Sequence, residues 1–217
     1  GSGLSFARGL VIQPDGRLVV AGTAASGDDE DIGLARYNSD GTLDSTFGAE
    51  GIVLTRIGAG RDSASSIALQ SDGKIVVAGN SDNGNVYDAI LVRYETDGSR
   101  DATFGDGGVV TTHTDAEYLS PSSIAVQSDG KLVVGALAAD EQEADDELLI
   151  LRYEATGELD TSFGDNGIVV NDVNTTPGGV VAIQSDGKIV VTATDRGAFT
   201  VARYNKEVEA KIKTHNK

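Results

Sequence analysis

The chain has 217 residues, enough to build a hydrophobic core of its own, and it contains no cysteine, methionine or tryptophan. The lack of cysteine excludes disulfides, zinc–thiolate sites and a thiol nucleophile. The net charge of −17, from 34 acidic and 17 basic residues, argues against nucleic acid and anionic membranes as partners, and no apolar run reaches the roughly 18 residues of a membrane span.

An internal repeat organises the chain. The string Gln-(Ser/Pro)-Asp-Gly-(Lys/Arg) occurs four times at a spacing of 57 residues, beginning at Gln13, Gln70, Gln127 and Gln184. A fixed period of this kind is typical of repeat architectures. The approximate repeats are residues 4–60, 61–117, 118–174 and 175–217, within one predicted domain. Residues 1–3 read as an expression remnant, and residues 206–217 form an atypical tail.

Each repeat predicts four short strands. In the second repeat these cover about residues 65–69, 74–79, 89–94 and 108–112, which are rich in Val and Ile and bounded by Gly, Asp, Asn and Ser. The first two strands are joined by a tight hairpin, in which Gly73 supplies the left-handed residue of a bulge. Pro14 stands at the first central turn position of the first repeat, which suits the fixed φ of proline.

The strand after each hairpin is apolar on both faces, as in the run Ile75-Val76-Val77. A sheet with one face in water would alternate instead, so these runs predict sheets that are covered on both sides. Four-stranded sheets packed face to face form a β-propeller. The fold class is therefore predicted as all-β, a propeller of about four blades that is either four-bladed or part of a larger ring.

Each repeat then carries an Arg-Tyr pair, followed in three repeats by an Asp-x-(Thr/Ser)-Phe-Gly motif. We predict that the arginine and the aspartate form a structural pair once per blade, and that the phenylalanine fills space between blades. The residues are Arg36, Arg93, Arg152 and Arg203; Asp44, Asp101 and Asp160; and Phe47, Phe104 and Phe163. Arg203 has no matching aspartate, so it needs another partner.

The repeats differ most between their second and third strands, and these segments are acidic. Carboxylate and amide oxygens are the ligands that Ca²⁺ prefers, although no segment has an EF-hand spacing. Candidate Ca²⁺ ligands are Asp28, Asp29, Asp31, Asp82, Asn83 and Asp88. Candidate contacts to a protein or glycan on this acidic rim are Asp140, Glu141, Glu143, Asp145, Asp146 and Glu147 of the third repeat. A second candidate contact is the segment 113–121, with His113 and Tyr118. A solvated surface is the alternative for both sets.

The tail departs from the repeat after Asn205. Val208, Ala210, Ile212 and Thr214 alternate with charged residues, which favours a strand, although Glu–Lys pairs at helical spacing also fit a short helix. Counting blades from the strand after the Phe-Gly motif leaves the first blade one strand short. We expect the tail to supply that strand; a cap and a foreign tag are the alternatives.

The run from Ile67 to Gly79, then Leu91 to Tyr94, Asp97-Gly98 and Asp101 to Gly105, resembles the bacterial delta-60 repeat family, over nearly the whole chain. The resemblance implies a propeller-like repeat domain of large bacterial secreted or surface proteins, and it implies no activity.

Catalysis has little support, because His113 and His215 are the only histidines and no nucleophile motif is present. We therefore predict a non-enzymatic binding or scaffold module, secreted or on the bacterial surface, without nucleic-acid partners or membrane insertion. The alternatives are a Ca²⁺-stabilised spacer of a large adhesin and a carbohydrate-active enzyme. The latter would need two carboxylates in one pocket.

Overall fold

The computed structural model describes residues 4–26, 29–139, 146–171, 179–195, 198–205 and 211–214. These residues form sixteen β-strands and no helix, so the all-β prediction is confirmed. None of the described residues belongs to a helix that could span a membrane.

Antiparallel pairing joins the strands in four sets of four, in chain order, and each set of four is called a sheet. The first sheet contains β1 (Leu4–Ile12), β2 (Leu18–Ser26), β3 (Asp29–Tyr37) and β4 (Ile52–Thr55). The second contains β5 (Asp62–Leu69), β6 (Ile75–Asp82), β7 (Tyr87–Tyr94) and β8 (Val109–Thr112). The third contains β9 (Tyr118–Val126), β10 (Leu132–Ala139), β11 (Glu147–Tyr153) and β12 (Ile168–Asn171). The fourth contains β13 (Val180–Ile183), β14 (Ile189–Asp195), β15 (Ala198–Tyr204) and β16 (Lys211–Thr214).

The hairpin before each second strand has the predicted geometry. The Gln70 N–H donates to the Lys74 carbonyl, and the Gly73 N–H donates back to the Gln70 carbonyl. Gly73 has a φ of 88°, a left-handed conformation that glycine adopts without a steric penalty. The Asp72 carboxylate accepts the Lys74 N–H at 3.1 Å. Turn closure therefore explains the repeated Asp-Gly pair.

The chain divides into two compact units, Gly1–Thr112 with the first two sheets and His113–Lys217 with the last two. In the first unit, Leu34 and Phe47 of the first sheet belong to the same buried cluster as Ile67 and Ile75 of the second. In the second unit, the cluster contains Phe163, Val181 and Tyr204 among others. Within each unit, neighbouring sheets therefore cover each other's apolar faces, as the continuous Val/Ile runs predicted.

The tail forms a strand at Lys211–Thr214, which confirms the strand over the helix for these residues. However, β16 pairs with β15 inside the fourth sheet, with Ile212 opposite Ala202. The first sheet has its own fourth strand in β4. The expectation that the tail completes the first sheet is therefore wrong, because each sheet begins with the strand before its hairpin.

Candidate functional site

The repeated arginines and aspartates form buried ion pairs. The Nε–Oδ2 distances are 2.8 Å for Arg36–Asp44, 2.6 Å for Arg93–Asp101 and 2.7 Å for Arg152–Asp160. Each guanidinium also lies over the ring of the phenylalanine in the same repeat, at 4.5, 4.4 and 4.3 Å for Phe47, Phe104 and Phe163. All three rings are fully buried. These polar groups therefore pair with one another and with the buried rings inside the fold.

A lysine of the hairpin motif joins two of these pairs, which the sequence reasoning missed. Lys74 Nζ lies 2.7 Å from Asp101 and 2.8 Å from Glu95, and Lys131 contacts Asp160 and Glu154 in the same way. Recurrence of Lys or Arg at the fifth motif position was the signal available. This recurrence does not identify the partner, because Asp101 lies 27 residues after Lys74 in the sequence.

The electrostatics of these aspartates follow from their partners. Burial alone would raise the pKa of Asp101, but hydrogen bonds from Lys74 and Thr103 outweigh it and hold the pKa well below its usual value. For Asp44, the hydroxyl and N–H of Thr46, together with Arg36, lower the pKa to about 2. The carboxylates are thus charged at neutral pH and already neutralised by their neighbours.

Arg36 also links the two sheets of the first unit, because its Nη1 donates to the carbonyl oxygen of Thr96. Arg203 differs from the other three arginines. It is exposed, whereas Arg36, Arg93 and Arg152 are 4–7% exposed. The equivalent arginines therefore have different surroundings in the first and last sheets.

The repeated tyrosine supplies a further link between sheets. Tyr94 donates its hydroxyl hydrogen to the Thr55 hydroxyl at 2.8 Å, and Tyr204 donates to the side-chain oxygen of Asn171. In both cases the acceptor lies on the fourth strand of the preceding sheet of the same unit. Burial of the phenol ring raises the pKa of Tyr204 to about 12, so the hydroxyl stays protonated.

The predicted Ca²⁺ ligands of the first unit are partly engaged with other side chains. Asp29 pairs with Arg56 at 2.7 Å, Asn83 donates to Asp88 at 3.0 Å, and Asp82 accepts the Gly84 N–H at 2.7 Å. Asp31 is buried, and Asp28 lies outside the described residues. Across the described ranges, no group of three or more His, Cys, Asp or Glu side chains could hold a metal ion. Calcium binding stays a prediction.

The second unit contains a cleft of about 360 Å³ that is the candidate binding site. Three carboxylates line it, those of Asp115, Glu147 and Asp165. Apolar side chains complete the lining, chiefly Leu149, Ile168 and Val170. The cleft therefore combines hydrogen-bond acceptors with an apolar surface, a common composition for a ligand site.

Local structure explains how this lining is assembled. The Asp165 N–H donates to the Ile168 carbonyl in a tight turn, which sets Asp165 at the start of β12. Val170 of β12 lies opposite Leu149 of β11 in the register of the sheet. Glu147, at the beginning of β11, lies opposite Ala138 of β10. The end of one sheet thus presents residues from three strands or turns to the cleft.

The structure brings together part of the predicted contact set. Glu147 lines the cleft together with residues 114–116, which follow His113 directly. His113 and Tyr118 are exposed, and Asp146 is half-buried. The predicted contacts Asp140, Glu141, Glu143 and Asp145 lie outside the described residues. Asp115 lies within the predicted contact segment 113–121. Asp165 and the apolar lining were not predicted, because Asp165 belongs to the repeated Phe-Gly motif.

A second cleft, of about 390 Å³, lies in the first unit between β4 and the turn at Asp97–Ser99. Its lining is mostly backbone, glycine and aliphatic side chains. The Asp97 carboxylate accepts hydrogen bonds from the N–H and hydroxyl of Ser99 at 2.9 and 2.6 Å. This cleft offers one carboxylate that is already engaged, so the cleft of the second unit is the stronger candidate.

Comparison with protein families gives a match over most of the repeats. A family described as "Domain of unknown function (DUF5122) beta-propeller" matches residues 13–47, 70–104, 127–163 and 184–207. Each segment begins at the hairpin glutamine, and the first three end at the phenylalanine of the Phe-Gly motif. The match confirms the predicted propeller repeat. No curated protein matches the chain.

Several solved structures are similar to this chain at low sequence identity. A polysaccharide lyase, Uly1, is 12% identical with a TM-score of 0.50, over 95% of this chain and 48% of the lyase. A protein from Lactobacillus plantarum is 12% identical with a TM-score of 0.49, over 96% of this chain and 70% of the other. A puromycin hydrolase is 15% identical with a TM-score of 0.46, over 95% of this chain and 38% of the hydrolase. The chain thus spans about half the length of the lyase, and the likeness concerns fold alone.

Proposed function

The chain belongs to the DUF5122 β-propeller family, and on that premise we propose that it is a non-catalytic binding module of a bacterial secreted or cell-surface protein. The observation that carries this proposal is the contrast between two sets of polar side chains. The repeated ones pair with each other in the structure, whereas Asp115 and Glu147 line a cleft in the second unit.

The repeated set has little left to offer a ligand. Asp101 and Asp160 are 1% and 3% exposed and each contacts both an arginine and a lysine. A buried carboxylate with two cationic partners stabilises the fold and is closed to solutes. Binding therefore belongs to loops and strand ends, which a rigid repeat scaffold holds in place.

The cleft favours a ligand with hydrogen-bond donors next to an apolar surface. Asp115, Glu147 and Asp165 supply acceptors, and Leu149, Ile168 and Val170 supply apolar contacts. The net charge of −17 repels anionic ligands over a longer range. A glycan, with many hydroxyl donors on an apolar ring face, or a protein segment bearing amide and amino donors, fits this chemistry.

The test starts with the full chain on a glycan array and on an array of surface-protein fragments, each with Ca²⁺ and with a chelator. The affinity for any ligand found is then measured for Glu147→Gln and Asp165→Asn, which remove one charge each at the cleft. We expect each variant to bind at least tenfold more weakly. The matched control is Asp106→Asn, since Asp106 is the equivalent of Asp165 two residues after Phe104.

Unchanged affinity in both cleft variants would refute this site, as would an equal loss in the control. Release of reducing sugar from a bound glycan would refute the non-catalytic role and favour a carbohydrate-active enzyme with paired carboxylates. If no ligand is found and millimolar Ca²⁺ raises the melting temperature, a structural spacer of an adhesin replaces the binding module.

A further inference from the structure

One face of the first sheet is exposed where the same face of the other sheets is buried. Leu10 is 53% exposed, whereas Ile67 and Val181, one and three periods later, are 8% and 5% exposed. Ile12, two residues further along β1, is 65% exposed. Large apolar side chains clustered on one exposed face are typical of an interaction surface.

The exposed face extends across the first sheet. Leu18, Val20 and Tyr37 are half-buried there. Their equivalents in the other three sheets are at most 1% exposed: Ile75, Leu132 and Ile189; Val77, Val134 and Val191; and Tyr94, Tyr153 and Tyr204. The difference in burial therefore concerns a whole face, which we call the leading face, consisting of Leu10, Ile12, Leu18, Val20 and Tyr37.

The structure shows what covers the corresponding face of the second sheet. A Cβ added at Gly9 of β1 would lie 2.7 Å from Cγ2 of Ile67, so the first sheet packs directly on this position. Thr55 of β4 accepts the hydroxyl of Tyr94 on the same side. In the second unit, a Cβ added at Gly135 of β10 would lie 3.0 Å from Val181. The partner that this face fits is therefore another sheet with the same repeat sequence, packed on it as the preceding sheet.

The fourth sheet has the complementary face exposed. Val201 is 38% exposed, while Leu34 and Ile150 at the same repeat position are fully buried. Val180 is 59% exposed, while Ser123, one period earlier, is 8% exposed. We call this the trailing face, consisting of Val180, Val201 and the exposed Arg203.

We propose that the leading face binds the trailing face of a second copy of this chain, so that copies associate head to tail. The contact repeats the packing between sheets of one unit, with Val201 of one copy near Leu10 of the next. A polar link follows by the same equivalence. Arg36 donates to the Thr96 carbonyl, and Arg203 and Ser39 occupy those two positions in the repeat. Such a contact uses different surfaces on the two partners and is heterologous.

The test uses analytical ultracentrifugation of the full chain from micromolar to millimolar concentration. The wild type is expected to associate as its concentration rises. Leu10→Glu places a charge in the leading face and Val201→Glu places a charge in the trailing face. Each variant alone is therefore expected to be monomeric. Each retains the face that the other lacks. An equimolar mixture of the two is therefore expected to form a 1:1 dimer that grows no further.

Leu54→Glu is the matched control, because Leu54 lies in the same first sheet and is 44% exposed. Its equivalent Val170 in the third sheet is also exposed, at 55%, so this position lies outside the packing between sheets. We expect the control variant to associate like the wild type. Circular dichroism of all variants establishes that their β-sheet content is unchanged.

Disulfide trapping tests which faces meet, since the chain has no cysteine of its own. Mixed Leu10→Cys and Val201→Cys chains are expected to form a cross-linked dimer much faster than either variant alone. A wild type that stays monomeric throughout would overturn the proposal, as would a mixture of the two Glu variants that stays monomeric. If Val201→Glu still self-associates while Leu10→Glu is monomeric, the proposal is also overturned, because that result indicates a symmetric contact between two leading faces.

Discussion

The hydroxyl of Tyr94 lies 2.8 Å from the hydroxyl of Thr55, although the two residues belong to different sheets of the first unit. Tyr94 is fully buried, and burial of its phenol raises the pKa further above the usual 10.0 of tyrosine. Tyr204 makes the corresponding contact to Asn171 in the second unit. In the first unit, Arg36 of the first Arg-Tyr pair therefore links forward to the second sheet, and Tyr94 of the second pair links back to the first sheet.

We expect Tyr94→Phe to lower the free energy of unfolding by about 1–2 kcal/mol, because it leaves the buried Thr55 hydroxyl without its donor. Chemical denaturation followed by circular dichroism measures the loss. Tyr37→Phe is the control, since Tyr37 occupies the same repeat position and is half-buried. An equal loss in the two variants would contradict a specific role for the bond between the sheets.

Arg93→Ala is expected to destabilise the protein by about 2–3 kcal/mol, because it leaves the Asp101 carboxylate buried with Lys74 as its remaining cationic partner. It also removes the guanidinium that lies over Phe104. The same substitution at the exposed Arg203 is expected to stay within about 0.5 kcal/mol. Denaturation midpoints of the two variants give the comparison, and a small effect at Arg93 would rule out a structural role for the pair.

Acid is expected to destabilise the protein between about pH 4 and pH 2. The pKa of Asp44 is lowered from 3.8 to about 2 in the folded state, so the folded protein binds fewer protons than the unfolded chain in this range. The stabilisation is complete above the unfolded value and is lost as the pH falls through the folded one. Lowered pKa values of Asp101 and Asp160 extend the loss to still lower pH.

Asp44→Asn tests the assignment of this acid sensitivity. The variant is expected to be less stable at pH 7 and to lose less stability between pH 4 and pH 2, as measured by urea midpoints across the range. Asp106→Asn removes the same charge from an exposed carboxylate and controls for net charge. A pH profile of Asp44→Asn parallel to that of the wild type would exclude Asp44 as a source of the effect.

Gly48 and Gly41 separate steric crowding from backbone strain. Both have a left-handed φ, 54° and 87°. A Cβ at Gly48 would lie 2.4 Å from the Ile52 carbonyl oxygen, whereas one at Gly41 meets nothing within 4 Å. We expect Gly41→Ala to lower the free energy of unfolding by about 1–2 kcal/mol, because alanine is strained in the left-handed conformation. Gly48→Ala is expected to lower it further, because its Cβ also meets the backbone. Thermal melts of the two variants provide the test, and equal losses would show that the turn at Gly48 can relax.

The predicted strands of the second repeat all exist, each within three residues of the predicted bounds. The buried phenylalanines and the Arg–Asp pairs were also accessible from the sequence, because each recurs at one spacing. The contact between Lys74 and Asp101 was not accessible, and the same is true of the cleft at Asp115, Glu147 and Asp165. Those groups come from separate segments that meet only once the strands are paired.

The repeat, the hairpin with Gly73 and the succession of strands follow from the order of the amino acids, because turn chemistry and hydrophobic runs are properties of neighbouring residues. The pairing of β16 within the fourth sheet, and the exposure of Leu10 where Ile67 is buried, depend on strand pairing and sheet packing in three dimensions. Leu10 and Ile67 occupy the same position in similar sequences. Their burial differs because it depends on which sheet packs against them, and the repeat motif is the same with or without that neighbour.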